Sequence, residues 1–359
     1  MSRKRPGVYP PLVLHVGHSK TGSSFIQSAL ALSAANLSSR GVIYPFFHEN
    51  VDAAAGKITA GNTQIFRLAD AYMQTVNAHP SAQAVLFSRE RLFHELLDHK
   101  DVLDGLRGCG VPVQVVLFIR NPVSHAVSRY CQDVKRGGFT SELPESLKAY
   151  DFPRKVTAFL DHMNARDVPV TVRNYSVHAG RLLKTVWDGL GLNVDAMVEP
   201  LVRRVNRSMT RSEIAIQKAF NAIYGHMSSR FISDRLCDEL PDFPVEGGPP
   251  LTRADYDRFV DHVQPMIEDA NTRIAVNERY VIEAFDTLQT WSDTDERGLD
   301  LNTAQVDVLR RSIKQVKAEY DVTSDIDRIL KGQLVKDALS TTDLLVLKQL
   351  YPHLAEHPS

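Results

Sequence analysis

The chain has 359 residues, 43% of them hydrophobic, enough for one large domain or two smaller ones with a substantial core. Lys and Arg number 42 against 43 Asp and Glu, a net charge of −1, so no global field draws in nucleic acid or an anionic membrane, and any anion site must be local. The 3 cysteines (Cys109, Cys131, Cys237) are too few and too widely spaced for a disulfide framework or a zinc knuckle.

The chain starts with the basic run Ser2-Arg3-Lys4-Arg5. The apolar stretch behind it falls short of the roughly 7–15 residues of a signal-peptide core, and no segment reaches the ~18 apolar residues of a membrane span. A soluble, cytoplasmic protein is the expectation. Leu12 to Val16 has the β-branched, apolar composition of a buried strand. A loop of Gly, Ser, Lys and Thr follows, then a helical pattern with Phe25, Ala29, Leu30 and Leu32 near one face. Gly41 to Pro45 reads as a short second strand, His48 to Asn62 as a polar loop, and Ile65 to Asn77 as a helix. Ala84 to Ser88 is the third strand, with Ser88 placed to cap the next helix, on which Glu90 and His94 share a face. Val113 to Ile119 is the clearest strand; it stops at Arg120, and Asn121-Pro122 opens a helix that ends near Gly137-Gly138. Residues 144–166 read as helical, Val168 to Tyr175 as a strand, and 179–190 as a helix closed by Gly189 and Gly191. Thr210 to Ile223 and Thr252 to Phe285 read as helices separated by a Gly/Pro loop at Pro241 to Pro250. After Trp291-Ser292-Asp293, the positions Val306, Leu309, Ile313, Val316 and Tyr320 form a heptad-like seam. That seam packs on the body or on residues 324–339, with a homodimer as the alternative.

Strands alternating with helices predict an α/β fold, a parallel sheet flanked by helices, plus a helical C-terminal region. The domains read as 1–290 and a helical appendage, 291–359. Ligands in such folds sit at the carboxyl ends of the strands, where Gly17 to Ser24, Ser88 to Glu90, Arg120 and Tyr175 fall. The loop after the first strand is an anion cradle: backbone N–H groups and the helix dipole converge there, Lys20 adds charge, and Thr21, Ser23 and Ser24 add hydroxyls. It is not a Walker A loop, because Lys20 comes three residues after Gly17 and the second glycine, Gly22, follows the lysine.

The order Gly17-His18-Ser19-Lys20-Thr21-Gly22-Ser23-Ser24-Phe25-Ile26-Gln27 closely resembles the 5′-phosphosulfate loop of sulfotransferases that use 3′-phosphoadenosine 5′-phosphosulfate (PAPS). Arg120-Asn121-Pro122, with Ser128 eight residues after the arginine, resembles that family's 3′-phosphate pair, with Asn121 where an aspartate is usual. Ser128 stands about 10 Å along the helix from its start, so its hydroxyl must face a phosphate lying along that helix. Val205-Asn206-Arg207-Ser208 is similar to an Asn-x-Ser segment of bacterial carbohydrate-type members, which puts Asn206 and Ser208 at the nucleotide. The other reading there is a helix-entry turn with Arg203, Arg204, Arg207 and Arg211 as solvated charges. Likewise, Tyr175 is either the family's strand-end tyrosine or core packing. The likeness is strongest over residues 12–40 and 113–137, loosens to about 225, and does not extend to the last third.

The resemblance implies PAPS as sulfuryl donor, 3′,5′-ADP as product, no metal, and a hydroxyl acceptor on a carbohydrate or glycolipid. Gly17, His18, Lys20, Thr21, Gly22, Ser23 and Ser24 then hold the donor, with Lys20 neutralising the leaving oxygen. Glu90 is the first candidate for the base, since carbohydrate members commonly use a glutamate; His94 and His125 are the others, and His18 lies near the same place. For Glu90 the alternative is a first-turn glutamate complementing the helix dipole. Other readings remain: sulfation of a small molecule or protein tyrosine, a P-loop nucleotide kinase, and a non-catalytic scaffold.

Overall fold

A computed structural model of the chain describes residues 9–55, 59, 61–191, 197–200, 207–245, 247–288 and 298–355. The chain forms two compact units: Met1–His125 with Asp151–Val205 and Val260–Glu283, and Ala126–Tyr150 with Asn206–Phe259 and Ala284–Ser359. The predicted boundary at Trp291 and the basic residues 2–5 lie outside the described residues.

The first unit is built on five strands: β1 (Leu12–Gly17), β2 (Val42–Ile43), β3 (Ala84–Ser88), β4 (Val113–Ile119) and β5 (Val170–Asn174). They lie in the order β2-β3-β1-β4-β5, and every pairing is parallel, with Leu12 opposite both Val85 and Val113. Parallel strands need crossover connections, and crossovers cover both faces, which is why β1 is buried along its whole length. On one face Val13, Leu86, Val116 and Phe118 pack with Ile26, Ala29 and Leu30 of helix Ser23–Leu32 and with Leu182, Val186 and Trp187 of helix Leu182–Leu190. On the other, helix Leu92–Asp98 lies against β1 and meets helix Phe152–Asn164, where the Phe93 and Phe159 rings stand 5.1 Å apart. The chain leaves β1 toward one edge and β4 toward the other, which opens a crevice between their carboxyl ends.

Several local expectations give way to tertiary partners. Leu32 is exposed; Ile26 takes its place on the buried face. The loop expected from His48 contains a helix, His48–Ala54, packed on Ser23–Leu32, and Asn50 and Asn62 both donate to the Pro45 carbonyl. Ser88 does not cap a helix: its hydroxyl pairs with His15 Nδ1 at 2.7 Å and its N–H donates to Asn62 Oδ1. The 144–166 stretch is two helices, Leu143–Lys148 and Phe152–Asn164, and β5 ends one residue early, so Tyr175 opens a short helical turn, Tyr175–His178. Gly189 is inside its helix; Gly191, at φ 67°, closes it. The helix read as Thr252 to Phe285 ends at Asn271, and the chain runs on to residue 283 with one 3-10 turn, Val276–Glu278, and no further α-helix. Among the described residues no helix is long and apolar enough to cross a membrane.

The second unit is helical. Thr210 and Glu213 form a capping box at the start of helix Arg211–Tyr224, and a helix unforeseen in the sequence, Ser233–Glu239, packs nearby. Val308, Leu309 and Ile313 of helix Thr303–Gln315 share one core with Ile216, Phe220 and Phe231, with Val322, Ile326 and Ile329, and with Leu347 and Leu350 of helix Thr341–Leu354. The seam of apolar residues is therefore spent inside its own unit. Arg207 is buried, not solvated: its guanidinium grips both Glu213 oxygens at 2.7 and 2.8 Å. Arg203 and Arg204 lie outside the described residues.

Candidate active site

The site is assembled at the carboxyl ends of the central strands. β1 ends at Gly17, where a Cβ would stand 3.1 Å from both the Phe118 carbonyl and Thr21 Oγ1. The chain then turns through two left-handed residues, Lys20 at φ 67° and Gly22 at φ 82°. Gly22 permits this freely; a Cβ there would meet Leu182 Cδ2 at 2.5 Å and the Tyr175 ring at 3.1 Å. Lys20 has a Cβ and costs about 1–2 kcal/mol in that conformation. Its carbonyl is held by Arg120 Nη1 at 3.1 Å, which offsets the strain and ties the loop after β1 to the residue after β4. Thr21 closes the turn from within, donating to the His18 carbonyl at 2.9 Å.

Arg120 is anchored from three sides. Its N–H donates to His18 Nε2 at 3.2 Å, its Nε to Ser124 Oγ at 3.2 Å, and its guanidinium lies 5.4 Å from the centre of the Tyr175 ring. Tyr175, the first residue after β5, thus lies against both Gly22 and Arg120, and it also packs partly buried on the core of Val13, Leu86 and Leu182.

Glu90 follows β3 in the turn before helix Leu92–Asp98, so it does not share a helical face with His94. Its partners come from the β1 loop instead. Burial raises the Glu90 pKa, while a hydrogen bond from Ser23 and the charge of Lys20 pull it the other way. A carboxyl whose pKa burial raises, beside a lysine and a hydroxyl, suits proton abstraction.

The histidines sit behind the loop. His18 and His125 are fully buried with ring centres 4.2 Å apart, and both pack on Phe152. Burial pushes the His18 pKa down to about 3, so the ring is neutral and its Nε2 accepts the Arg120 N–H. His125 Nε2 bonds the Ser19 carbonyl at 2.9 Å. These contacts hold backbone. His94 is half-buried, its ring 6.0 Å from that of Phe152.

Lys20, Thr21, Ser23, Glu90, Arg120 and Tyr175 are thus brought together in the first unit, with Ser24 half-buried on the first turn of helix Ser23–Leu32. Ser128 and Ser208 belong to the second unit, Ser128 half-buried on helix Pro122–Gly137 and Ser208 exposed before helix Arg211–Tyr224; Asn206 lies outside the described residues. The sequence reading missed Ser124, Tyr280 and Glu283. The two N–H groups of Val123 and Ser124 at the helix start are taken by the Glu283 carboxylate, both at 3.1 Å. Asn121, expected as the cap, uses Oδ1 to accept from Asn174 Nδ2 and the Val281 N–H. No local signal marks Glu283, because it lies 160 residues from the helix it caps. Among the described residues, no cluster of His, Cys, Asp and Glu is arranged to hold a metal ion.

No family model matches the chain, and no curated protein sequence does either. Among solved structures it is similar to a sulfotransferase from Alicyclobacillus acidocaldarius, with 18% identity, a TM-score of 0.33, and coverage of 62% of this chain and 96% of that one. It is similar, too, to the sulfotransferase domain from the curacin biosynthetic pathway, with 12% identity, a TM-score of 0.33, and coverage of 72% of this chain and 99% of that one. Both of these structural neighbours are sulfotransferases.

Proposed function

We propose that the chain is a sulfotransferase that moves a sulfuryl group from PAPS to an acceptor hydroxyl on a carbohydrate or glycolipid. The observation that carries the reading is the meeting of Glu90 with Ser23 and Lys20 at the end of β1, which puts a candidate base beside a candidate leaving-group cation. In-line sulfuryl transfer asks for positioning and charge stabilisation, as phosphoryl transfer does, with less charge on the moving group. Loop N–H groups and Lys20 meet the charge that develops on the departing oxygen, each such donor typically supplying about 3–4 kcal/mol in the transition state. Arg120, at the end of β4, takes the 3′-phosphate. Glu90 receives the acceptor proton. Ser128, Asn206 and Ser208 stay as nucleotide contacts on the sequence pattern alone. The chemistry requires no metal.

The test is thermal unfolding with 3′,5′-ADP, against 5′-AMP and against ATP with and without magnesium. A ligand at 100 times its Kd adds about 2.7 kcal/mol, which raises Tm by several degrees. The expected result is a shift with 3′,5′-ADP that needs no magnesium and is lost in Arg120→Ala, followed by sulfur transfer from labelled PAPS to a glycan panel. A shift with ATP and magnesium alone replaces this reading with a kinase.

A further inference from the structure

Arg120 is held by a strap that its own sequence neighbourhood does not predict. The segment from Glu278 to Glu283 crosses the carboxyl ends of β5 and β4. At its near end, the buried Glu278 carboxylate accepts from the Asn174 N–H at 2.7 Å, contacts His178 Nε2 at 2.9 Å and pairs with Arg173 at 3.4 Å. Asn174 Nδ2 donates to the Arg279 carbonyl, and Tyr280 exchanges two hydrogen bonds with Asn271. The Val281 N–H donates to Asn121 Oδ1. At its far end, Glu283 takes the N–H groups of Val123 and Ser124.

Two routes lead from this strap to Arg120. The Tyr280 hydroxyl, kept protonated because burial raises its pKa, lies 3.4 Å from His18 Nε2, the same atom that accepts the Arg120 N–H. Glu283 fixes the backbone of Ser124, whose Oγ receives Arg120 Nε and donates to the Asn121 carbonyl at 3.3 Å. One route sets the backbone of Arg120 and the other its guanidinium, which continues to the Lys20 carbonyl.

We propose that Glu283 and Tyr280 are positioning residues that orient Arg120 for the donor's 3′-phosphate; the donor's identity rests on the function proposed above. A carboxylate at a helix start satisfies two backbone donors and complements the dipole. Here one of those two donors is the N–H of Ser124, the serine that steers the guanidinium. The carboxylate's negative charge also repels a phosphate, so removing it has two opposed consequences. Loss of orientation weakens phosphate binding; loss of repulsion, with two N–H groups released, strengthens it. The sign of the change decides between them.

The experiment is calorimetric titration of 3′,5′-ADP and 5′-AMP into the wild type, Glu283→Ala and Glu283→Gln. The expected result is about tenfold weaker binding of 3′,5′-ADP in Glu283→Ala, with 5′-AMP unchanged because it lacks the 3′-phosphate. Glu283→Gln, which keeps one carbonyl for one of the two N–H groups, falls between and serves if the alanine variant does not fold. Ser124→Ala reproduces the loss, and combining it with Glu283→Ala adds nothing further. Unchanged or tighter binding of 3′,5′-ADP in Glu283→Ala overturns the proposal. Should the wild type bind no 3′,5′-ADP, the functional reading falls, and a nucleotide-free urea cycle of Glu283→Ala with Arg120→Ala decides the strap. Coupled midpoints uphold its grip on Arg120; additive ones refute it.

Discussion

Gly22→Ala isolates the most demanding feature of the loop after β1. The glycine sits at φ 82°, and a methyl group there would stand 2.5 Å from Leu182 Cδ2 and 3.1 Å from Tyr175 Cε2. The positive φ costs an L-residue about 1–2 kcal/mol. Overpacking adds about 1–3 kcal/mol, because Leu182, buried in a core with Val186 and Trp187, must shift to make room. The sum is about 2–5 kcal/mol, or a fall in Tm of about 4–20 °C at the 2–4 °C per kcal/mol expected for a unit of this size. Urea unfolding measures the loss. Repeating the substitution in a Leu182→Ala background separates its parts, since the 2.5 Å clash disappears there and the backbone strain of about 1–2 kcal/mol remains with the milder Tyr175 contact. A Gly22→Ala protein that melts within about 1 °C of the wild type, or equal losses in both backgrounds, refutes the account of this loop.

Glu90→Gln is expected to keep 3′,5′-ADP affinity and lose at least about 100-fold in turnover; unchanged turnover moves the base to His94 or His125. The folded state raises the Glu90 pKa above its unfolded value, so the wild type loses stability as pH rises from about 4.3 through the folded pKa. Glu90→Gln removes that loss, making the variant the more stable protein at neutral pH and level with the wild type near pH 4; the opposite order in urea midpoints refutes the burial of this carboxyl. His15 and His18 act with the reverse sign. Burial lowers their pKa values to about 4 and about 3, so stability is full above the unfolded value near 6.5 and drains as pH falls below it. Between pH 7 and 5 each accounts for about 2 kcal/mol, and His15→Gln removes about half of the combined slope; an unaltered slope counts against a neutral, buried His15. Deleting the chain after Leu288 takes Val308, Leu309, Ile326, Leu347 and Leu350 out of the second unit's core. The truncated chain should lose the cooperative unfolding of residues 206–259, whereas a separable appendage would leave it intact.

The sequence by itself determined what depends on near neighbours. β1 and β4 are apolar runs broken only by His15 and Gln114, and such runs bury on both faces wherever they sit, so the strands and the α/β class were legible. The crevice was legible for the same reason, since Lys20, Glu90 and Arg120 all follow the last residue of a strand. Tertiary structure decided which partner each polar group takes. Ser88 and Asn121 both have the chemistry of helix caps, yet Ser88 turns to His15 and Asn121 to Asn174, 73 and 53 residues away. The cap at Pro122–Gly137 falls to Glu283, from a stretch with helical periodicity that ends at Asn271. Arg207 looks solvated in a run of arginines, but Glu213 meets it in the interior. A buried donor or acceptor takes whichever partner packing brings within about 3 Å, and sequence spacing carries no record of partners folded in from a hundred residues away.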